Sequence, residues 1–151
     1  MTDAHEFAAS AVWQGTTGAG YEAYDRGHEV RVGPNTLRVS SDRAFRGDPG
    51  LLNPEQLLVV AASSCQLLSF LAVAARARVD VVSYRDDARG FMPHEGRPMW
   101  VSRIELRPHV VVASDVTDER LAHLVEVAHR ECFVAASLRS EIELTPTFER
   151  V

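Results

Sequence analysis

Cysteine is scarce in this chain: two in 151 residues, Cys65 and Cys132, set 67 positions apart. That excludes a small disulfide-stapled scaffold. Neither C-x-x-C nor H-x-x-x-H occurs, and the spacing of the two cysteines matches no zinc pattern. His129 and Cys132 would share one helix face, but two donors do not make a metal site, and no metal is expected. Basic excess is also absent. The net charge is −5 and the pI about 5.6, which argues against a nucleic-acid binder, since that would need a basic face. The N-terminus, MTDAHEFAAS, lacks both a basic n-region and an apolar h-region, so no signal peptide is expected and the cytoplasm is the expected compartment. Gly15 to Gly20 carries G-x-x-G-x-G, but this is not the dinucleotide fingerprint and opens no helix, so it reads as a turn. Repeats and low-complexity linkers are missing. With 46% hydrophobic and 25% charged residues, one ordinary globular domain over 1–151 is expected.

What is present is one long apolar run, NPEQLLVVAASSCQLLSFLAVAARAR, from Asn53 to Arg78. It predicts a helix over 54–77. Asn53 suits the N-cap, Pro54 the first helical position, and Gln56 the reciprocal place of a capping box. Arg76 and Arg78 suit the negative end of the helix dipole. From Gln56 to Ala75 there is no Gly, Pro or charge. The apolar residues cannot share one stripe, so the helix is expected to be covered on several sides. Its length would also span a membrane. Ser63, Ser64, Gln66 and Ser69 in its middle argue against that, and a core helix is expected instead.

Around this helix the pattern is of strands and one further helix. Residues 5–45 read as strands and turns. Phe7 to Trp13 alternates, and Tyr21–Tyr24 with Glu29–Val32 suggests a hairpin about Asp25-Arg26-Gly27. Leu37 and Val39 mark another strand, and Phe45 to Leu52 is a Gly/Pro-rich loop. Residues 80–150 read as a ββαβ unit. Val81–Met92 is one strand and Trp100–Val112 a second. A helix follows from Thr117, with stripe residues Leu121, Leu124, Val125 and Ala128. A short apolar continuation runs over 133–138, and a closing strand over Glu141–Phe148. The class is α+β, with helices laid on antiparallel sheet.

Both thiols could be inert, since free cysteine is often simply buried. Cys65, however, sits among Ser63, Ser64 and Gln66, three turns inside its helix, where its own helix dipole cannot stabilise a thiolate. A reactive thiolate there would need a cation brought from elsewhere. Glu55, the one acid of the helix, could hold that cation or merely serve the dipole. Arg38, Arg43 and Arg46 are the candidate cations just upstream.

Three stretches together carry a family resemblance: N-P-E-Q-L-L, then A-A-S-S-C, then A-H-R-E-C-F-V-A-A-S-L before the last strand. They resemble the family of osmotically inducible protein C and organic hydroperoxide resistance protein (OsmC/Ohr), over most of the chain from Val12-Trp13-Gln14-Gly15 onward. The resemblance implies antiparallel sheets around a long buried central helix, an intertwined homodimer, and two active sites at the dimer interface. It implies that Cys65 is the peroxidatic cysteine and Cys132 the resolving one. It further implies that Glu55 orients an arginine over the thiolate, with Arg43 the first choice and Arg46 the second. The activity implied is reduction of alkyl or fatty-acid hydroperoxides without cofactor, with a dithiol reductant such as a lipoylated protein. One departure stands out: the family usually places proline after its second cysteine, where this chain has Phe133, which bears on how the second thiol is presented. A non-catalytic member binding an apolar small molecule in the dimer groove is the alternative. A hydrolase or transferase pairing Cys65 with a histidine is a third reading.

Overall fold

The computed structural model describes residues 4–151. The chain packs as two compact units, one up to Leu57 and one from Leu58 to the C-terminus.

In the first unit, β1 (Ser10–Val12), β2 (His28–Val32) and β3 (Asn35–Val39) form an antiparallel sheet in that order. The hairpin lies between β2 and β3, where Gly33 takes φ 57, and not at Asp25-Arg26-Gly27 as the sequence suggested. Residues 21–24 form a turn instead, because their backbone groups are engaged locally. The amides of Ala23 and Tyr24 both donate to the Gly20 carbonyl. The carbonyls of Tyr21 and Tyr24 accept from the Arg26 guanidinium, which removes acceptors a strand ladder would use. Alternation over Phe7–Trp13 yields only three strand residues, and Phe7 is exposed. The unit ends on the first turn of α1 (Pro54–Arg76). The capping box forms as expected: the Asn53 amide donates to Gln56 Oε1 at 3.0 Å, and the Gln56 amide to Asn53 Oδ1 at 2.8 Å.

The second unit begins inside α1. It adds β4 (Val81–Asp86), β5 (Arg89–Phe91), β6 (Arg103–Leu106), β7 (Pro108–Val112), α2 (Asp118–Glu131), α3 (Phe133–Ser137), β8 (Glu141–Leu144) and β9 (Thr147–Arg150). Each of the three long strands read from the sequence is in fact two. The breaks fall at Asp87-Ala88, at Arg107 and at Thr145-Pro146, and at each the chain passes from one sheet to the other. The sheets are therefore β4-β7-β9 and β5-β6-β8. Asp86 pins one crossing, its Oδ1 accepting the Arg107 amide at 2.7 Å. β4–β7 and β5–β6 pair antiparallel, whereas β6–β8 and β7–β9 pair parallel. The sheets are thus mixed rather than wholly antiparallel, because the return through α2 and α3 is a helical crossover, which brings the last strands back in the same direction.

Two apolar clusters fill this unit. One joins Phe70 and Val73 of α1 to Val110, Val112, Leu121, Leu124 and Val125. The other joins Ala62 to Val101, Ile104 and Leu106. Gly90 lets α1 come close to β5, since a Cβ there would lie 2.5 Å from Val59 Cγ2. The helix is long and apolar enough to cross a membrane by length and composition, but its polar middle is tied to its own unit. Ser63 Oγ donates to Asp86 Oδ2 at 2.5 Å, and Gln66 Nε2 to the Val125 carbonyl at 3.3 Å. It is not covered all round. Val60 (58% exposed), Leu68 (62%) and Leu71 form an open apolar stripe, with Ala61, Ser64, Ala72 and Ala75 alongside.

Replacing Asn53 by Ala removes the side-chain half of the capping box. It is expected to lower stability by about 1 kcal/mol, read as a lower midpoint in reversible chemical denaturation.

Candidate functional site

Thr117 caps α2 through a bond from the Arg120 amide to its hydroxyl, and the helix runs to Glu131 before the chain turns sharply. Cys132 is the turning residue. It closes α2 with its own amide on the His129 carbonyl, and it caps α3 with its sulfur, which accepts the Ala135 amide at 3.4 Å. The preceding amide, that of Val134, donates to Cys65 Sγ at 3.5 Å. The first turn of α3 thus turns backbone donors toward both sulfurs. The two cysteines are free thiols, Cys132 buried and Cys65 half-buried.

The surroundings of the pair distinguish its members. Burial pushes both thiols up. At Cys65 this is outweighed by hydrogen bonds from the Cys132 thiol, the Val134 and Phe133 amides and Ser69, so its pKa falls below the ordinary thiol value. At Cys132 burial is reinforced by its hydrogen bond to Cys65 and by the Cys65 charge, so its pKa rises. Of the two sulfurs, Cys65 is therefore the one whose ionisation is favoured, with the Cys132 thiol donating toward it. Backbone donors and a neighbouring thiol are sufficient for this polarity, and the sequence did not foresee them because the junction of α2 and α3 has no helix-breaking residue to announce it. Tyr84, packed against the cluster around Phe70 and Val110, has its hydroxyl pushed well above the usual range by burial and by the charge of Asp86.

Both cysteines are among the residues lining a cavity of about 600 Å³, within the range of small-molecule sites. Its floor is the α1 face carrying Cys65, Leu68, Ala72 and Arg76, and its opposite wall is the end of α2 with Phe133. Phe133, in the place where the resemblance expects proline, is 84% exposed and lines this cavity.

The remaining expected residues lie in the first unit. Glu55 lines a second cavity, of about 450 Å³, with Trp13, Tyr24, Arg26, Asp42 and Phe45. The arginine sharing this cavity is Arg26. It is half-buried, its guanidinium lies 3.8 Å from the Tyr24 ring centroid and 4.9 Å from that of Tyr21, and both hydrogen bonds to carbonyls are 2.5 Å. Arg43, the first choice from sequence, stands exposed in a short 3-10 turn (Arg43–Phe45) capped by Asp42, outside the cavity lining. Arg46 pairs with Glu22, and Arg38 is exposed on β3. The sequence reading did not offer Arg26 as a candidate because it took D-R-G only as a turn. The flanking Tyr21 and Tyr24, spaced to stack on a guanidinium, were the available signal.

Residues 47–147 match the family model described as OsmC-like protein. Among curated proteins, the chain is 24% identical over 143 residues to the uncharacterized protein YmaD of Bacillus subtilis strain 168, covering 93% of this chain and 91% of that one. Among solved structures, an OsmC-like protein of unknown function from Vibrio cholerae superposes with a TM-score of 0.86 at 28% identity, over 95% of this chain and 100% of the other. An organic hydroperoxide resistance protein from Elizabethkingia anophelis superposes with a TM-score of 0.70 at 20% identity, over the full length of both.

The thiolate assignment predicts that carbamidomethylation of Cys65 follows a pH profile with its midpoint below that of a free thiol, so that the thiolate fraction at neutral pH exceeds the ordinary one. Cys132→Ala removes the donated S–H and Phe133→Pro removes one amide. Each should move that midpoint upward and slow alkylation at pH 7. An unchanged midpoint in both would contradict the assignment.

Proposed function

This chain belongs to the OsmC-like protein family, and from that membership and its cysteine pair we propose that it is a thiol-dependent peroxidase that reduces organic hydroperoxides. The observation that carries the reading is the Cys65 sulfur held by the Val134 amide and the Cys132 thiol at the mouth of an apolar cavity.

The thiolate of Cys65 attacks the terminal oxygen of the hydroperoxide. The O–O bond breaks, the alkoxide leaves and takes a proton to become an alcohol, and Cys65 becomes a sulfenic acid. The Cys132 sulfur then attacks the Cys65 sulfur. Hydroxide leaves, takes the Cys132 proton as water, and a disulfide remains. An external dithiol restores both thiols by exchange. The adjacent backbone donors suit this order of events, because they favour charge on the attacking sulfur and keep the proton on the resolving one. Glu55 is assigned the holding of an arginine that steadies negative charge during oxidation. Arg26, which shares a cavity with Glu55, is the arginine this reading takes, ahead of Arg43 and Arg46.

The working unit is proposed to be a homodimer. The open stripe of Val60, Leu68 and Leu71 on α1 is an apolar face that a monomer would leave in water at a cost of about 25 cal/mol per Å². Light scattering should give about twice 16.7 kDa, and Val60→Glu should shift the protein toward monomer. A monomer at micromolar concentration would sink this part.

The test of the activity is direct. Reduced protein treated with one equivalent of cumene hydroperoxide should lose two hydrogens by mass, with Cys65 joined to Cys132 in one chain. Cys65→Ser should abolish the reaction, and Arg26→Gln should slow it by a larger factor than Arg43→Gln. Retention of two free thiols would favour a non-catalytic ligand-binding role instead.

A further inference from the structure

The first reduction step releases an alkoxide, and neither sulfur gives it a proton. Cys65 is consumed as the nucleophile, and the Cys132 proton leaves later with hydroxide as water. An acid beside the departing oxygen would speed that step, since a positioned general acid contributes about 10²- to 10⁴-fold. The cavity that holds Arg26 and Glu55 is also lined by His28. His28 opens β2 and is half-buried. Its Nδ1 lies 2.9 Å from the Arg26 carbonyl oxygen. A carbonyl oxygen only accepts, so Nδ1 carries a hydrogen and donates it. That leaves Nε2 as the ring atom that gives up and regains the mobile proton. Nε2 has no hydrogen-bond partner among the described residues.

Arg26 and His28 are fixed as a pair. The residue whose guanidinium is assigned to steady charge also supplies the carbonyl that orients the imidazole. The imidazole is therefore carried along wherever the proposed dimer presents that guanidinium to a peroxide. Other polar groups of the cavity are already engaged. Asp42 accepts from the Ala44 amide and the Asn53 side chain, the Ser41 hydroxyl donates to the Phe45 carbonyl, and Ser40 Oγ accepts the Asp48 amide. The Tyr24 hydroxyl is the main rival donor. We propose that His28 is a further catalytic residue, the general acid that protonates the departing alkoxide. The Cys65 sulfur bonds to the terminal peroxide oxygen, and the electron pair of the broken O–O bond stays on the alkoxide oxygen. The imidazolium passes its Nε2 proton to that oxygen. The products are a sulfenic acid, an alcohol and a neutral imidazole, which regains a proton from solvent. This rests on the peroxidase reading above, with Arg26 as its arginine.

The experiment compares tert-butyl hydroperoxide, whose alkoxide is a poor leaving group, with peroxybenzoic acid, whose carboxylate leaves without needing a proton. Single-turnover oxidation of Cys65 is followed by mass in the reduced full chain, as wild type, His28→Asn and Tyr24→Phe. Asparagine keeps an amide that can donate to the Arg26 carbonyl but has no mobile proton to give. His28→Asn should slow the alkyl peroxide by about 100-fold or more and leave the peracid within about threefold of the wild type. In His28→Ala, added imidazole should restore part of the rate with the alkyl peroxide. A purely structural role would slow both peroxides alike. Equal slowing of the two in His28→Asn, or slowing of neither, overturns the proposal. So does the selective pattern appearing in Tyr24→Phe instead. Where His28→Asn does not fold, the same comparison is read in His28→Gln. If neither peroxide oxidises Cys65 in the wild type, the peroxidase reading itself fails and the acid falls with it. If both do and the variant shows no selectivity, only the acid assignment fails.

Discussion

The arrangement depends on a single junction, where α2 stops at Glu131 and α3 starts at Phe133 with one residue between them. That residue, Cys132, uses its amide to finish one helix and its sulfur to begin the next. The turn it makes exposes the free amides at the start of α3, and helix starts leave such amides without intrahelical partners. They are turned toward both sulfurs. The difference between the two thiols then follows from what else each meets. Cys65 receives hydrogen bonds, and Cys132 gives one away. Burial alone would have made both sulfurs inert, so their opposite pKa directions are a property of this turn rather than of the apolar core around it.

Support for the junction comes from both clusters of the second unit. Leu121, Leu124, Val125 and Ala128 bury one face of α2 against Phe70 and Val73 of α1 and against β7. Val134 and Leu138 anchor α3 beside Ile104 and Leu106. Gln66, one residue beyond Cys65 and almost wholly buried, reaches across to the Val125 carbonyl. The α1 turn bearing Cys65 is thereby fixed to the helix that delivers Cys132. Polar residues in the middle of a greasy helix are costly unless partnered. Ser63 Oγ and Gln66 Nε2 are partnered across the fold and help hold the register between α1 and its neighbours, while Gln66 Oε1 is buried with no hydrogen-bond partner among the described residues.

The broad architecture was legible in the amino-acid pattern because it rests on local rules. The capping box at Asn53, the long uncharged run after it and the Thr117 cap each act within a few residues, and the structure has all three. Each long strand was read correctly as extended and wrongly as single. Alternation continues through Arg107 and through Thr145-Pro146, and only the pairing of distant strands shows that the chain changes sheets there. The parallel pairs β6–β8 and β7–β9 were illegible for the same reason, being set by the helical crossover. At the site, the two cysteines were visible from their motifs. The amides of Phe133 and Val134 were not, since a backbone donor leaves no mark on the residue type. Arg26 was hidden by its neighbours, as Asp25 and Gly27 gave a turn signal strong enough to mask the two tyrosines that stack on its guanidinium.

The central claim is that the turn at Cys132 makes Cys65, and not Cys132, the sulfur that meets peroxide first. Dimedone trapping reads this most directly. Each single cysteine variant, Cys132→Ser and Cys65→Ser, is exposed to one equivalent of organic hydroperoxide with dimedone present, and the adduct is located by mass. The account predicts rapid labelling of Cys65 in the first variant and little labelling of Cys132 in the second. Equal labelling of the two sulfurs, or labelling of Cys132 alone, would contradict it.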